Sequence, residues 1–155
     1  MISPEKLKRI PFFSPFMADH LTQIAMMADE VEVEKGEVIF EECQPADTFY
    51  VLLDGSVDLY YKTEEEYPKK VSKVFDVGEI NPGEILTFSA LIDPYVLNAS
   101  GKAAKDSRLV KIDAVKLRAL FEEEPRLGYM AMQQLTKAIM ENLAYTRVQL
   151  AAAWA

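Results

Sequence analysis

The sequence predicts a mainly β domain with flanking helices: a jelly-roll, or double-stranded β-helix, followed by a long C-terminal helix. Three observations predict it. Apolar residues recur at helical spacing before residue 28, at strand spacing from 29 to 113, and at helical spacing again from 114 on. The middle apolar runs are short and about ten residues apart, the rhythm of a rolled or closed sheet. From Pro125 the helical pattern holds at least to Leu150. These periods divide the chain into an N-terminal helical segment (1–28), a β-roll core (29–113) and C-terminal helices (114–155).

Each element has a local cause. Ser14-Pro15 reads as an N-cap followed by a first-turn proline, with Asp19 placed to suit the positive end of the dipole. That helix is expected to reach Met27, burying Phe16, Leu21, Ile24 and Met27. Val31 and Val33 then alternate with Glu30, Glu32 and Glu34, a half-buried strand. Residues 38–40 and 48–53 are further strands, and Asp54-Gly55 reads as a hairpin turn that pairs 56–62 back onto 48–53. The run 63–70 reads as a solvated loop, and 71–77 as a strand. Pro82-Gly83 makes a tight turn before a brief extended segment at Glu84–Leu86. Strands at 97–103 and 108–112 enclose a turn at Lys105-Asp106. Asp113 is an N-cap for a short helix marked by Leu117, Leu120 and Phe121.

At 155 residues the chain is long enough to bury a core without disulfides or metal staples. The net charge of −8 repels polyanions at long range, and no basic cluster offsets it, so DNA is not an expected partner. The single cysteine, Cys43, allows no internal disulfide, which suits a reducing compartment. The N-terminus lacks the apolar run of a signal peptide and no stretch is apolar enough to span a bilayer, so a cytoplasmic protein without a membrane partner is expected.

The motifs, in order, are Lys35-Gly36-Glu37-Val38-Ile39-Phe40, Glu42-Cys43-Gln44-Pro45-Ala46-Asp47, Tyr50-Val51-Leu52-Leu53, Gly55-Ser56-Val57, Asn81-Pro82-Gly83-Glu84 and Ile112-Asp113. In this order and spacing the chain resembles the cyclic nucleotide-binding domain of the catabolite-activator/FNR type. The resemblance covers nearly the whole chain and implies a non-enzymatic ligand-sensing β-roll, with C-terminal helices that dimerise and close over the ligand.

The family's ligand motif departs here. Its phosphate cassette reads Gly-Glu, an apolar residue, then Ala-Leu, with an arginine some residues on. Counted from the Pro-Gly turn, Gly-Glu falls on Thr87-Phe88, followed by Ser89, Ala90 and Leu91. Counted back from Ile112-Asp113, the arginine falls on Leu97, followed by Asn98 and Ala99. The chain has no arginine between Arg9 and Arg108, so the absence does not depend on the alignment. Without the charge-assisted bonds to phosphate and the ribose bond, binding weakens by roughly 3–6 kcal/mol, about 10²–10⁴-fold. Lys102 lends charge but does not replace a bidentate guanidinium. Amides near Phe88–Leu91 remain a weak anion site. The resemblance places the candidate pocket at Leu86, Thr87, Phe88, Ser89, Ala90, Leu97, Asn98, Ala99 and Ser100, with Asn142 and Leu143 reaching in from the long helix. The ligand is then a small molecule less charged than a cyclic nucleotide. The alternative is a ligand-free interaction module, its pocket plugged by Phe88 and Leu97.

On the long helix, Met132, Leu135, Ile139, Asn142 and Thr146 follow alternating steps of three and four, an expected homodimer seam, the alternative being that the same stripe packs on the chain's own β-roll. The chain ends near Leu150 without the helix-turn-helix of the family's transcription factors, so output is expected through an unknown protein partner. No cofactor is expected. His20 is the sole histidine and reads as a helix-face residue, not a metal ligand. Cys43 stands where the family has a turn glycine, beside Glu41 and Glu42, and reads as an unreactive thiol. Glu64–Glu66 lack metal-ligand spacing, the Met26-Met27 and Met130–Met132 groups read as core filler, and no catalytic constellation is present.

Overall fold

The chain begins with a helix that the periodicity does not announce, α1 (Pro4–Lys8), in the computed structural model, which describes residues 1–65 and 71–155, with side chains outside 63–75. Ser3 caps α1 by accepting from the Lys6 amide at 3.3 Å, and Pro4 fills the first turn. The Ser-Pro signal thus occurs twice, and the first copy is the working cap. At the second copy the expectation fails. The Ser14 hydroxyl donates to the Pro11 carbonyl at 3.0 Å within a turn, and α2 (Ala18–Met26) starts at Met17 with no side-chain cap. The intervening turns carry Phe12, Phe13 and Phe16, which pack edge-on against one another and dock on Phe49. This aromatic cluster fixes the N-terminal segment to the roll.

Seven strands form two antiparallel sheets among the described residues. One has the order β1 (Ala28–Val33), β7 (Ser107–Asp113), β3 (Thr48–Asp54). The other has the order β2 (Val38–Phe40), β6 (Ser100–Ala103), β4 (Val57–Glu65), β5 (Val71–Ile80). The expected β3–β4 hairpin does not form: β3 pairs with β7, and β4 with β5 and β6, so the chain crosses between sheets at Gly55. The reason is local. Gly55 has φ +107, and at the next residue, Ser56, the amide donates to the Ser107 hydroxyl (3.1 Å) while the carbonyl accepts from the Ala104 amide (2.9 Å). Those bonds hold the corner to the β6–β7 turn and leave none for β3. Strand β5 runs three residues beyond expectation, to Ile80, and the strand expected from Leu97 starts only at Ser100. The loop expected at 63–70 falls mostly on 66–70, outside the described residues, as does Glu66 of the acidic cluster.

Strand β7 buries Leu109, Val110 and Ile112 fully and exposes Arg108 and Lys111, and it anchors the core that also holds Phe49, Leu52 and Val57. Asp113 caps α3 (Ala114–Glu123) as expected, accepting from the Lys116 amide at 3.1 Å. The last element, α4 (Pro125–Ala153), buries only Leu127, Ala131 and Leu135, a stripe of one residue per turn. Its residues from 139 onward are exposed, so the second half of this helix, about 44 Å long in all, projects from the roll. No helix among the described residues is long and apolar enough to cross a membrane.

A methyl group on Gly55 would overlap the backbone and side chain of Ser107 at a φ that disfavours any L side chain. Gly55→Ala is expected to cost about 3 kcal/mol or more and to lower the thermal midpoint by about 10 °C, followed by circular dichroism. An unchanged midpoint would mean that the crossover does not depend on this corner.

Candidate functional site

The segment from Ile80 to Ser100 is laid down along β3 by a series of bonds. The Asn81–Glu84 turn closes by its Glu84 amide on the Asn81 carbonyl (3.1 Å), with Gly83 at φ +90. Gly83 N–H then donates to the Leu52 carbonyl (2.7 Å), Leu52 N–H to the Glu84 carbonyl (3.0 Å) and Leu86 N–H to the Tyr50 carbonyl (2.9 Å). Thr87 continues the ladder with its side chain: the hydroxyl donates to the Thr48 carbonyl (3.1 Å) and accepts from the Tyr50 amide (3.0 Å). A short 3-10 turn, Phe88–Leu91, follows, closed by the Ala90 amide on the Thr87 carbonyl. The chain then returns along the 43–46 loop, where Ala46 N–H donates to Tyr95 and Leu97 N–H to Gln44.

Arg118 of α3 locks this arrangement from outside. Its guanidinium donates to the Ala90 carbonyl at 2.6 Å, lies 3.4 Å from the Ala46 carbonyl, and stacks over the Tyr95 ring at 3.9 Å. One side chain thereby joins the 3-10 turn, the 43–46 loop and the first C-terminal helix. Nothing in the periodicity singles Arg118 out, because its partners are backbone carbonyls brought near only by folding.

The expected pocket residues do not share one space. Leu86, Ala90 and Ala99 are buried in the packing, and Thr87 and Ser100 commit their hydroxyls to backbone, Ser100 accepting the Glu42 amide at 2.9 Å. Thr87 and Leu97 border a cavity of 210 Å³ with Phe40 and Tyr50. Burial pushes the Tyr50 phenol above its ordinary value of 10.0, and its ring stacks on Phe40. Phe88 borders a different and larger cleft of 440 Å³, between the roll and α4, whose wall also includes Asn142. The two spaces share no residue, so the structure does not bring Phe88 and Leu97 together in one plug. Ser89 is half-buried, and Asn98 and Leu143 are exposed and line neither space. Lys102 is exposed over the Tyr60 ring and also lines neither.

The cleft is floored by Phe12, Ile85 and Phe88 and rimmed by Lys137, Glu141 and Tyr145 of α4. These α4 residues escaped sequence reasoning because the helix face that meets the roll is set by Leu127, Ala131 and Leu135. Only the i, i+4 recurrence of Lys137, Glu141 and Tyr145 could have indicated a common face. Carboxylates of Glu79, Glu84 and Glu141 outnumber the one ammonium, Lys137, so the cleft is hostile to a phosphate. The smaller cavity holds Glu41 and Asp47 and no cation.

The dimer seam also needs correction. Leu135 is 1% exposed and Met132 packs against the same core, so both are taken up by their own roll. Ile139, Asn142 and Thr146 remain exposed. His20 is half-buried on α2, its Nε2 3.9 Å from the Glu124 carboxylate. Cys43 is exposed at φ +69, a left-handed conformation that explains the family's glycine there.

A two-sheet roll followed by two C-terminal helices is the architecture of the β-roll regulatory domains. The family model for the cyclic nucleotide-binding domain matches residues 30–124, and the chain belongs to that family. A protein assigned to cyclic nucleotide binding from Geobacter metallireducens GS-15 has a similar structure, with 34% identity, a TM-score of 0.82, and coverage of 92% of this chain and 99% of that one. A cyclic nucleotide-binding domain from Methylobacillus flagellatus KT shares the fold at 15% identity, with a TM-score of 0.78 over 97% of this chain and 83% of that one. The catabolite activator protein of Thermus thermophilus does so at 17% identity, with a TM-score of 0.66 over 92% of this chain and 62% of that one. A protein assigned as a potassium channel from Rhodopseudomonas palustris is 27% identical over 121 residues, 77% of this chain. The chain spans 27% of that relative's length.

Arg118→Met removes a charge-assisted bond and a cation–π contact while keeping an unbranched apolar stem. It is expected to cost about 2–3 kcal/mol in urea unfolding and to raise amide exchange in 88–97 well before global unfolding. Unaltered exchange there would contradict the locking role.

Proposed function

We propose that the chain is a ligand-responsive regulatory module whose ligand is not an ordinary cyclic nucleotide, and whose output passes through α4 to a protein partner. One observation carries this reading: Phe88 and Asn142 line the same 440 Å³ cleft between roll and helix. That volume lies in the range of small-molecule sites, whereas 210 Å³ falls below it. A ligand in the cleft would touch the cassette and the helix at once, so its presence would bias how α4 sits on the roll. The acid-rich lining favours a neutral or cationic ligand with an apolar face. Control of a larger effector accords with the channel relative, in which the matching region is a minor part of the chain.

A homodimer is part of the proposal, with the seam moved down the helix. Ile139, Leu143, Thr146 and Leu150 follow steps of four, three and four on the exposed half. The ligand-free module is the second reading, supported by the burial of Leu97 in the core.

Native mass spectrometry of the purified protein tests both parts. The expected species is a dimer of 17.5 kDa chains carrying an additional small mass. Ala138→Trp, which fills the cleft, should lose that mass and stay dimeric. Ile139→Asp with Leu143→Asp should give folded monomers, since neither side chain supports the core. A bare species with or without Ala138→Trp would favour the ligand-free module.

A further inference from the structure

The arginines that bound the long arginine-free stretch, Arg9 and Arg108, meet at one cleft. We propose that this cleft, between the turn after α1 and the outer side of the β3–β7 sheet, binds a small organic anion: a phosphate or carboxylate on a compact apolar body. Its volume is 390 Å³, and Lys6, Arg9 and Arg108 stand beside an apolar lining of Ile10, Leu53 and Pro82. No acidic residue lines it, in a chain whose net charge is −8.

The charges there are incompletely matched. Lys6 pairs with Glu30 at 2.7 Å. Arg9 and Arg108 make no ion pair and no side-chain hydrogen bond among the described residues. Glu32 and Asp54 are the register partners of Arg108 on the flanking strands, yet neither carboxylate comes within 4.0 Å of it. Both guanidiniums are exposed, and the ten donors they carry between them are free to receive an oxyanion beside an apolar lining. Guanidinium geometry favours a planar or tetrahedral oxyanion held bidentately, and the lining selects against a bare, fully hydrated ion. The site is separate from the Phe88–Asn142 cleft, although the Pro82-Gly83 turn walls both. It does not depend on the reading of that cleft.

Calorimetric titration of the full chain with phenyl phosphate, benzoate and inorganic phosphate tests it, with chemical-shift mapping to locate the contact. Phenyl phosphate and benzoate are expected to saturate at one site with submillimolar Kd, at least about tenfold more tightly than inorganic phosphate. Arg9→Gln and Arg108→Gln should each weaken phenyl phosphate about tenfold or more, and Ala138→Trp should leave it unchanged. Each arginine is exposed, so both variants are expected to fold, which circular dichroism checks. No saturation, equal binding of inorganic phosphate, or affinity insensitive to both arginine variants would overturn the proposal.

Discussion

The strapping of residues 83–87 onto β3 is the constraint on which the site depends. Backbone bonds from Gly83, Leu52 and Leu86 set the register, and the Thr87 hydroxyl carries it one residue further by serving both Thr48 and Tyr50. A glycine at this position would leave the part-buried Tyr50 amide to be met by water or ligand, at a cost that threonine removes. Phe88 turns toward α4, Ala90 presents its carbonyl to Arg118, and Leu97 closes over the inner cavity. The Thr87 hydroxyl is engaged by the backbone of β3.

Electrostatics agrees with the geometry. The two spaces nearest the cassette carry five carboxylates and one lysine between them: Glu79, Glu84, Glu141 and Lys137 in the cleft, Glu41 and Asp47 in the cavity. A phosphate in either would meet repulsion at short range, in surroundings less screening than water. The guanidinium nearest the cassette, Arg118, faces the outer side and is engaged by carbonyls and a tyrosine ring. Its charge is used to hold the loops together. The unengaged pair, Arg9 and Arg108, lies on another face.

Much of the architecture was legible because it rests on local signals. Period changes near 28 and 113 marked the roll, Asp113 marked a helix start, and the ordered motifs from Lys35 to Asp113 marked the family. What was not legible rests on which groups compete for one partner. Ser3-Pro4 and Ser14-Pro15 are the same cap signal, and the packing of Phe12, Phe13 and Phe16 around the second holds it in a turn. Asp54-Gly55 has hairpin composition, but Ser107 displaces β3 as the partner of the Ser56 backbone. Leu135 fits a heptad seam and also the roll's own groove, and the groove takes it. In the site, the arginine-free stretch from Arg9 to Arg108 was readable; that Thr87 and Leu97 border one space and Phe88 another was not, because it depends on how α4 and the 43–46 loop pack on the roll.

We read this domain as one that retains the cyclic nucleotide-binding fold without an ordinary cyclic nucleotide site. Isothermal titration of the purified protein with cyclic AMP and cyclic GMP tests that reading most directly. With no arginine at Leu97 to neutralise the phosphate and no glutamate at Phe88 to accept from the ribose, binding no tighter than about 100 μM is predicted for either. A low-micromolar constant for one of them would contradict the account.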